Sequence, residues 1–474
     1  MKKEINTRAI LITFMIGAFF AFLNETLLNI ALTELMNVFN VDAPTVQWLS
    51  TGFMLVMGVL MPISALLIQW FTTRKMFIGV MLIFLIGTTV AAVAVNFPML
   101  LTGRMIQAIG TGLLIPTIMN ALLLLYRPEV RGKIMGTFGL VIMFAPAIGP
   151  TLSGVIVDTL GWRWLFISVI PFTLFSIIFA VKFLQNVGEV TKPKVDILSI
   201  VLSTIGIAGV IYGFSRAGDL EEGFLSTTFL LIILISIVCL IIFTFRQLKL
   251  EEPLLDVRVF QYRSYTQGVI IFVLVIMAMF ASEIVMPMYL QGPLGYSAKM
   301  TGLLLLPGAL LNGLMSPVMG SLFDRYGPRK LIIPGTIVLV AVMFFFSRID
   351  SSIHIWFFVL AYIALMLAIS AIMMPAETNG LNALPKKLYP HGTAIVNTIQ
   401  PIGGALGVSI FVSIMTQGTN NYLAEADSIT NEVMNEAMTR GVHHSYWFAL
   451  VISIVAFITA LFVKKAVAPD FDKD

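Results

Sequence analysis

Charged side chains are scarce in this sequence. Only 11% of its 474 residues are Asp, Glu, Lys or Arg, whereas a soluble domain carries about 25%. Hydrophobic residues make up 58% of the chain, and the mean hydropathy is +0.96. This balance excludes an ordinary soluble protein. It predicts an integral membrane protein with little material left for a soluble domain.

Cysteine and histidine are nearly absent as well. Cys239 is the only cysteine, which excludes an intrachain disulfide. The four histidines lack metal-ligand spacing, so we expect no metal and no other cofactor. The sequence has no G-x-x-x-x-G-K-[ST] motif, which excludes ATP-driven transport by this chain alone. Because no paired catalytic motif supports a polytopic membrane enzyme, we predict that the protein is not an enzyme.

Apolar runs of about 20 residues, long enough to cross about 30 Å of hydrocarbon, recur along the whole chain. The first run is too long for a signal peptide and lacks a small-residue cleavage site, so we predict that it remains as a span. The fold class predicted is an all-α integral membrane protein. Its fourteen transmembrane helices are predicted at 8–33, 47–70, 76–95, 99–125, 133–157, 163–184, 196–214, 226–247, 265–290, 299–322, 330–347, 353–383, 391–417 and 445–466.

Basic residues are distributed unequally between the two sides of the predicted membrane. With fourteen spans, 23 of the 29 Lys and Arg residues fall on the side of the N-terminus, five fall on the other side, and Arg104 lies within a span. Basic residues are retained in the cytoplasm. Both termini of this multi-pass protein are therefore predicted to be cytoplasmic. The net charge of +4 follows from this topology, and we expect no nucleic-acid partner.

One loop pattern occurs twice. The clearer copy, GSLFDRYGPRK, follows span ten; the weaker copy, SALLIQWFTTRK, follows span two and keeps Arg74. Each copy follows the second span of a six-span set if spans seven and eight are an insert. Repeated halves around a central site are typical of transporters. The predicted domains are a six-helix half at 1–188, a linker with two extra helices at 189–262, and a second half at 263–474.

Six further segments accompany the repeat: LNETLLNIAL (23–32), LTGRMIQAIGTG (101–112), APAIGPTLSG (145–154), GWRWLFISVIPF (161–172), MMPAETNGLNALP (373–385) and HGTAIVNTIQPIGGALG (391–407). In this order, and over essentially the whole chain, they resemble the motifs of the major facilitator superfamily. The resemblance is to its fourteen-helix drug:proton antiporter branch, which includes lincomycin-resistance and multidrug exporters of Gram-positive bacteria. It implies a bacterial plasma-membrane exporter.

The resemblance also implies roles for the motif residues. Arg104 would tune the protonation of a carboxyl group; the alternative is an arginine that extends to the lipid headgroups. The segment 145–154 would bend and seal one side of a cavity, or simply pack tightly. The repeated loop would hold neighbouring helices together, or be a solvated loop. The residues concerned are Pro146, Gly149, Pro150 and Gly154 in the bend, and Arg74, Gly320, Asp324, Arg325, Gly327 and Arg329 in the loops.

This chain departs from the branch pattern at three positions. The first-helix motif usually has an acid where this chain has Asn24, with the acid moved to Glu25. The weaker loop copy has Gln69 in place of its Asp, and the thirteenth helix has Gln400 where an Arg is common.

Three carboxyl groups lie well inside predicted spans, at Glu25, Glu283 and Glu377. Burial disfavours the charged form of a carboxyl group, so such an acid can exchange a proton near neutral pH. By resemblance, the three spans line a central cavity. We therefore predict one polar chamber in which proton and substrate compete, with Arg104 assisting. Each acid could instead be structural, and Glu377 could set charge preference.

Methionine and phenylalanine accompany these acids. Met-rich surfaces can repack around varied ligands. Ordinary lipid-facing side chains are the alternative. The predicted substrate-binding residues are Asn24, Glu25, Asn29, Phe280, Glu283, Met286, Met373, Met374, Glu377 and Gln400.

The function predicted from these observations is proton-coupled export of hydrophobic, often cationic or amphiphilic drugs by alternating access. Its partners would be small-molecule drugs, protons and the lipid bilayer, and the protein would be a monomer. An exporter of a native metabolite, lipid or signalling nucleotide is the alternative; a channel is disfavoured by the repeat. The acidic segment 418–444 is predicted to form a short helix or hairpin on the outer side.

Overall fold

The computed structural model is all-helical over the residues that it describes. These are residues 7–126, 128–186, 190, 196–217, 223–250, 253–350, 353–385, 388–426, 428 and 430–466, without the side chains of 8, 9, 65, 123, 124, 128–133, 135–137, 139, 140, 142, 143, 146, 147 and 390. Thirteen described helices are long and apolar enough to cross a membrane. A fourteenth contributes the shorter apolar part Ile148–Leu160, so the predicted count of fourteen is confirmed.

The long helices are numbered in chain order. They are α1 (Thr7–Phe39), α2 (Trp48–Trp70), α3 (Thr73–Ala92), α4 (Phe97–Leu125), α5 (Pro128–Leu160), α6 (Trp164–Phe183, interrupted at 168–169), α7 (Ile197–Arg216), α8 (Thr227–Lys249), α9 (Arg263–Gln291), α10 (Ala298–Tyr326), α11 (Arg329–Phe346), α12 (Ile355–Leu381), α13 (Tyr389–Ala424) and α14 (Asn431–Leu461). Short helices lie at Ala43–Val46, Gly223–Leu225 and Val257–Gln261.

The helices form two halves, α1–α6 and α9–α14, with α7 and α8 between them in the sequence. The end of the bundle that holds both termini is called the terminal side, and the opposite end the far side. On the terminal side, the Tyr126 hydroxyl donates to the Thr7 carbonyl at 3.0 Å. Asn379 bonds the main chain of Lys464 and Ala466 at 3.0 and 2.9 Å.

The halves meet along three helix pairs: α5 with α10, α2 with α13, and α1 with α9. Tight packing of α5 on α10 requires glycine, because a Cβ at Gly302 would lie 2.6 Å from the Pro150 carbonyl oxygen. On the far side, Thr151 Oγ1 donates to the Gly302 carbonyl at 3.0 Å, and the Lys299 N–H donates to Asp158 at 3.0 Å. These contacts close the far side of the bundle.

Most of the described residues in 418–444, predicted to form a short helix or hairpin, belong instead to the ends of two long helices. Helix α13 continues to Ala424 and α14 begins at Asn431. Thr430 caps α14 by accepting from the Val433 N–H at 3.3 Å, and Glu436 pairs with Arg440 one turn later at 3.8 Å. Polar residues can therefore carry both helices beyond the apolar part of the bundle.

Asp196 joins the two inserted helices at their terminal-side ends. It accepts from the Ser199 N–H at 3.4 Å and pairs with the Arg246 guanidinium at 2.8 and 2.9 Å. The pKa of Asp196 is lowered to about 2, mainly by the hydrogen bonds from the Arg246 guanidinium and to a smaller extent by those from Ser199. A free aspartate has a pKa of about 3.9. The pair therefore stabilises the fold above about pH 4, and this stabilisation is lost as the pH falls through about 2.

We expect Asp196→Asn to lower the melting temperature of the purified protein at pH 7, with the difference disappearing near pH 2. Thermal unfolding in detergent over this pH range measures it. Glu436→Gln is the control, because its exposed ion pair at 3.8 Å should contribute little. Equal melting temperatures for Asp196→Asn and the unmodified protein at pH 7 would contradict the expectation.

Candidate substrate and proton site

Glu25 on α1 and Glu283 on α9 lie close to each other where the two halves meet. Asn29, one turn after Glu25, donates from Nδ2 to Glu283 Oε2 at 3.3 Å. The two carboxyl groups are within electrostatic range of each other, and both residues are only partly exposed. The structure thus brings together two predicted site acids that come from different halves of the chain.

Ser50 on α2 orients the amide of Asn29. The Ser50 hydroxyl donates to Asn29 Oδ1 at 3.4 Å, which directs the amide nitrogen toward Glu283. Ser50 and Asn29 are both buried. This short chain of hydrogen bonds crosses three helices. Sequence reasoning missed Ser50, although a polar residue early in span two was a signal that could have identified it.

Arg104 on α4 is completely buried and does not extend to a lipid headgroup. Its Nη1 donates to Asn24 Oδ1 at 2.8 Å and to Gln107 Oε1 at 3.0 Å. The guanidinium also lies 4.3 Å from the centre of the Phe53 ring. Burying a cation is expensive unless its donors are satisfied. The main-chain carbonyls of Asn24, Glu25 and Leu49 accept further bonds at 3.3, 3.5 and 3.4 Å.

The departure from the branch pattern at Asn24 changes the partner of Arg104. A neutral amide oxygen holds the guanidinium, while the Glu25 carboxyl group interacts with it only over a longer range. Among the described residues, Glu25 and Arg104 form no direct ion pair. Glu25 is consequently left to interact with Glu283 across the interface between the halves.

A second polar layer supports Gln107. Its Nε2 donates to the Thr88 hydroxyl on α3 at 2.8 Å, and Thr88 donates to the Phe84 carbonyl at 2.7 Å. Gln107 and Thr88 are fully buried. The orientation of Gln107, and through it that of Arg104, is therefore fixed by α3.

Glu377 lies elsewhere. It lines a narrow crevice between α9, α12 and α13, next to Tyr265, Gly268 and Phe272. Gly268 precedes Glu283 on α9 by fifteen residues, or about 22 Å at the helical rise of about 1.5 Å per residue. The three predicted carboxyl groups therefore do not share one chamber; Glu377 is on the terminal side of the other two.

The predicted apolar pocket is divided in the same way. Phe280 packs against Gly404 of α13, where a Cβ would lie 2.9 Å from its ring, close to Glu283. Met373 and Met374 are partly exposed and lie one turn from Glu377. Met286 is fully buried, and Gln400 is exposed in the terminal half of α13.

Two tyrosines lie behind Glu283 that sequence reasoning did not single out. Tyr362 on α12 is almost fully buried and lies within electrostatic range of both Glu283 and Tyr446 of α14. Tyr446 is fully buried beside Phe346, with ring centroids 5.2 Å apart. A tyrosine inside an apolar span, near the depth of an acid, was the available signal.

The segment 145–154 lies where the far side is closed. A Cβ at Gly149 would collide with the Thr26 hydroxyl of α1, and one at Gly154 would collide with the Ala298 carbonyl of α10. Pro150 contacts Gly302 as described above. The Pro146 side chain lies outside the described residues. Both predicted interpretations, tight packing and closure of one side, are compatible with these contacts.

The two loop copies differ in their contacts. In the weaker copy, Arg74 donates to the Val181 carbonyl, and its N–H donates to Asn186 at 3.3 Å, which ties α3 to the end of α6. In the clearer copy, Gly327 ends α10 with φ +77°, a conformation that favours glycine. Arg325 stacks on Tyr326 at 5.1 Å, and Gly320 packs against Met374.

Asp324 and Arg329 of the clearer copy are exposed. In the part of the chain that is described, neither forms an ion pair. In this conformation the charged residues Asp324 and Arg329 of the clearer copy therefore do not join neighbouring helices through ion pairs.

The chain is similar to several known transporters over nearly its full length. It is 46% identical to the lincomycin resistance protein LmrB of Bacillus subtilis over 464 residues, which cover 98% of this chain and 97% of the relative. It is 42% identical to the uncharacterized MFS-type transporter YcnB of the same organism, covering 99% and 97%. The probable multidrug resistance protein EmrY of Escherichia coli is 23% identical, covering 85% and 79%.

Solved structures share the fold. A bacterial homolog of the human lysosomal transporter Spinster, in its inward-facing and unoccupied conformation, aligns with a TM-score of 0.70 at 13% identity, covering 99% of this chain and 100% of that one. The sequence profile of the Major Facilitator Superfamily matches residues 14–408 and 269–473. With fourteen membrane helices, two halves and relatives of this kind, the chain belongs to the Major Facilitator Superfamily of transporters.

Proposed function

We propose that this protein exports drugs in exchange for protons. The observation that carries the proposal is the meeting of Glu25 and Glu283 across the two halves, joined through Asn29. Support for drugs as the substrate comes from relatives named for lincomycin resistance and multidrug resistance. Hydrophobic compounds that are cationic or amphiphilic fit an acid flanked by Phe280.

The terminal side is proposed to be cytoplasmic, since it holds most of the basic residues. The closed far side would then be extracellular, and the site at Glu25 and Glu283 would be reached from the cytoplasm. This is the conformation in which an exporter loads its substrate. Alternating access would next separate α5 from α10 and expose the same site to the outside.

Proton coupling would arise from the two acids. Both are removed from bulk water, and two nearby negative charges repel each other, so at least one carboxyl group favours its protonated form. A cationic or hydrogen-bonding drug that enters would displace a proton. In the outward-open state, a proton from outside would restore the acid and release the drug. Arg104, held beside the Glu25 main chain, would favour the charged form of that acid.

The driving force is adequate for such an exchange. One pH unit supplies about 1.4 kcal/mol per proton, and a membrane potential of about 100 mV adds about 2.3 kcal/mol per charge. Together they support a gradient of a few hundredfold per proton for a neutral drug. A monovalent cationic drug exchanged one for one with a proton moves no net charge, so the pH difference alone supports a gradient of about tenfold.

Glu377 is proposed to act before the exchange site. It is the predicted acid nearest the terminal side, and Met373 and Met374 lie one turn away. A cation arriving from the cytoplasm would meet this carboxylate first. Its role would be charge preference, as one of the sequence-based alternatives holds. The proposed division into halves at 1–188 and 263–474, with the insert at 189–262, allows a monomer to complete this cycle.

Substrate-induced proton release tests the proposal. Purified protein in weakly buffered detergent is mixed with lincomycin or ethidium, and a soluble pH indicator reports released protons. Release that saturates with drug concentration is the expected result. Binding of both drugs without any release would overturn the proton coupling. No binding of either drug would instead favour export of a native metabolite, lipid or signalling nucleotide.

A further inference from the structure

Helix α7 of the inserted pair lies along the seam between the two halves. It packs against α2 of the first half and against α13 of the second half. Its partner α8 packs mainly on α7 and is largely exposed on its outer surface. One helix of the insert therefore contacts both halves at once. A segment that only connected the halves along the sequence would not need these contacts.

The contact with the first half is polar and buried. Gln47, at the start of α2, donates from Nε2 to the Ser215 hydroxyl of α7 at 3.3 Å. Both side chains have no exposed surface. Next to them, the rings of Trp48 and Tyr212 are 5.8 Å apart. This contact ties the last turn of α7 to the first half.

The contact with the second half uses the same turn of α7. Ser413 of α13 donates to the Phe214 carbonyl at 3.4 Å, and Gln417, one turn later, donates to the Ala217 carbonyl at 3.4 Å. Carbonyls in the last turn of a helix have no partner within that helix. Two polar residues on one face of α13 therefore satisfy the end of α7.

All three of these hydrogen bonds lie on the far side, where the halves are closed. Opening that side moves the first half away from the second, so α7 must release either Gln47 or the pair formed by Ser413 and Gln417. We propose that α7 acts as a clasp: by bonding both halves at once, it holds the far side closed. Gln47 provides its hydrogen bond to the first half. This assigns a role to the inserted helices that drug export by itself does not require.

The clasp has a consequence that distinguishes it from ordinary packing. If α7 holds the far side closed by bonding both halves, it stops doing so once its bonds to either half are lost. Loss of Gln47 should therefore open the far side, and further loss of both Ser413 and Gln417 should add little. Two independent packing contacts would instead give effects that add.

Distances measured between two labels test the clasp directly. The only cysteine is replaced by Cys239→Ser, and Val38→Cys and Asn420→Cys place spin labels at exposed far-side positions of α1 and α13. Pulsed electron paramagnetic resonance then reports the population with a long separation. We expect Gln47→Leu to raise this population about fivefold relative to the short one, the effect of losing one buried hydrogen bond.

Matched variants complete the test. Ser215→Ala removes the acceptor of the same hydrogen bond and alters fewer side-chain atoms than Gln47→Leu. It should also raise the population with the long separation. Gln247→Leu is the control, because Gln247 is a buried glutamine that bonds Ser199 of α7 at 2.7 Å, at the terminal side and away from the seam. It should leave the distances unchanged.

Unchanged distances in both Gln47→Leu and Ser215→Ala would overturn the clasp. A further outcome would also overturn it: a shift in the triple variant Gln47→Leu, Ser413→Ala, Gln417→Leu that equals the shift in Gln47→Leu plus the shift in the double variant Ser413→Ala, Gln417→Leu. The measurement needs neither drug nor pH gradient, so its result does not depend on whether the protein exchanges drugs for protons.

Discussion

Replacing Glu283 by glutamine should reduce drug-induced proton release to the level measured without protein. Glutamine has nearly the same shape as protonated glutamate and keeps an oxygen that can accept from Asn29, now at 3.3 Å. The variant should therefore fold normally and still bind drug. It cannot release a proton, and the exchange stops. Glu25→Gln should have the same effect if the two acids act as one coupled unit.

Glu377→Gln is the informative comparison for these variants. Glu377 lies beside Gly268, which is about 22 Å from Glu283 along α9, so its loss should leave proton release intact. If it attracts cations, its loss should raise the Kd for ethidium about tenfold, which corresponds to about 1.4 kcal/mol. The Kd for a neutral drug should hardly change. Full proton release by Glu283→Gln, or its complete loss in Glu377→Gln, would contradict the assignment of roles.

The fold was predictable from the sequence because lipid imposes a simple requirement. Each span needs about 20 predominantly apolar residues, whichever face it buries, so a plot of hydropathy along the sequence identifies it. The repeated loop pattern then predicts the two halves and the insert. The extension of α13 to Ala424 was not predicted, since residues such as Gln417 and Asn421 leave the apolar pattern while the helix continues.

The sequence was sufficient to select the candidate acids of the site, but it did not predict how they are arranged in space. Adjacent spans run in opposite directions, so an acid late in span twelve and an acid late in span nine lie on opposite sides of the membrane. Counting depth along the spans would have separated Glu377 from Glu283. The position of α7 could not be derived in this way. Hydropathy places a helix in the membrane but does not say which helices it packs against.

The shift of the first-helix acid by one position explains part of the arrangement. In this chain Arg104 is held by Asn24, an amide, at 2.8 Å. The acid at Glu25 projects from an adjacent position on α1, toward the interface with α9. The residue that holds the buried guanidinium, Asn24, and the acid that we propose to exchange a proton, Glu25, are therefore neighbours on α1. This arrangement predicts that Arg104 acts on Glu25 through position and field and without a direct ion pair.

Arg104→Met should therefore have a large effect on stability as well as on transport. It leaves Asn24 Oδ1, Gln107 Oε1 and three main-chain carbonyls without their buried donor. Leaving a buried acceptor without its donor costs about 1–3 kcal/mol for each group. Thermal unfolding in detergent should show a much lower melting temperature, and proton release should be lost.

Arg104→Lys separates charge from geometry. Lysine keeps the positive charge but lacks the planar fork of donors that reaches several acceptors at once. We expect this variant to fold and to release protons about tenfold to a hundredfold more slowly, the effect of losing one hydrogen bond to a charged group. Arg163→Lys is the matched control. Arg163 bonds the Ala94 carbonyl at 3.1 Å and stacks on Trp162 outside the site.

The control should release protons at the unmodified rate. If Arg104→Lys did so too, charge alone would suffice at this position. The hydrogen bonds to Asn24 and Gln107 would then be structural, and the proposed influence of Arg104 on Glu25 would reduce to its field.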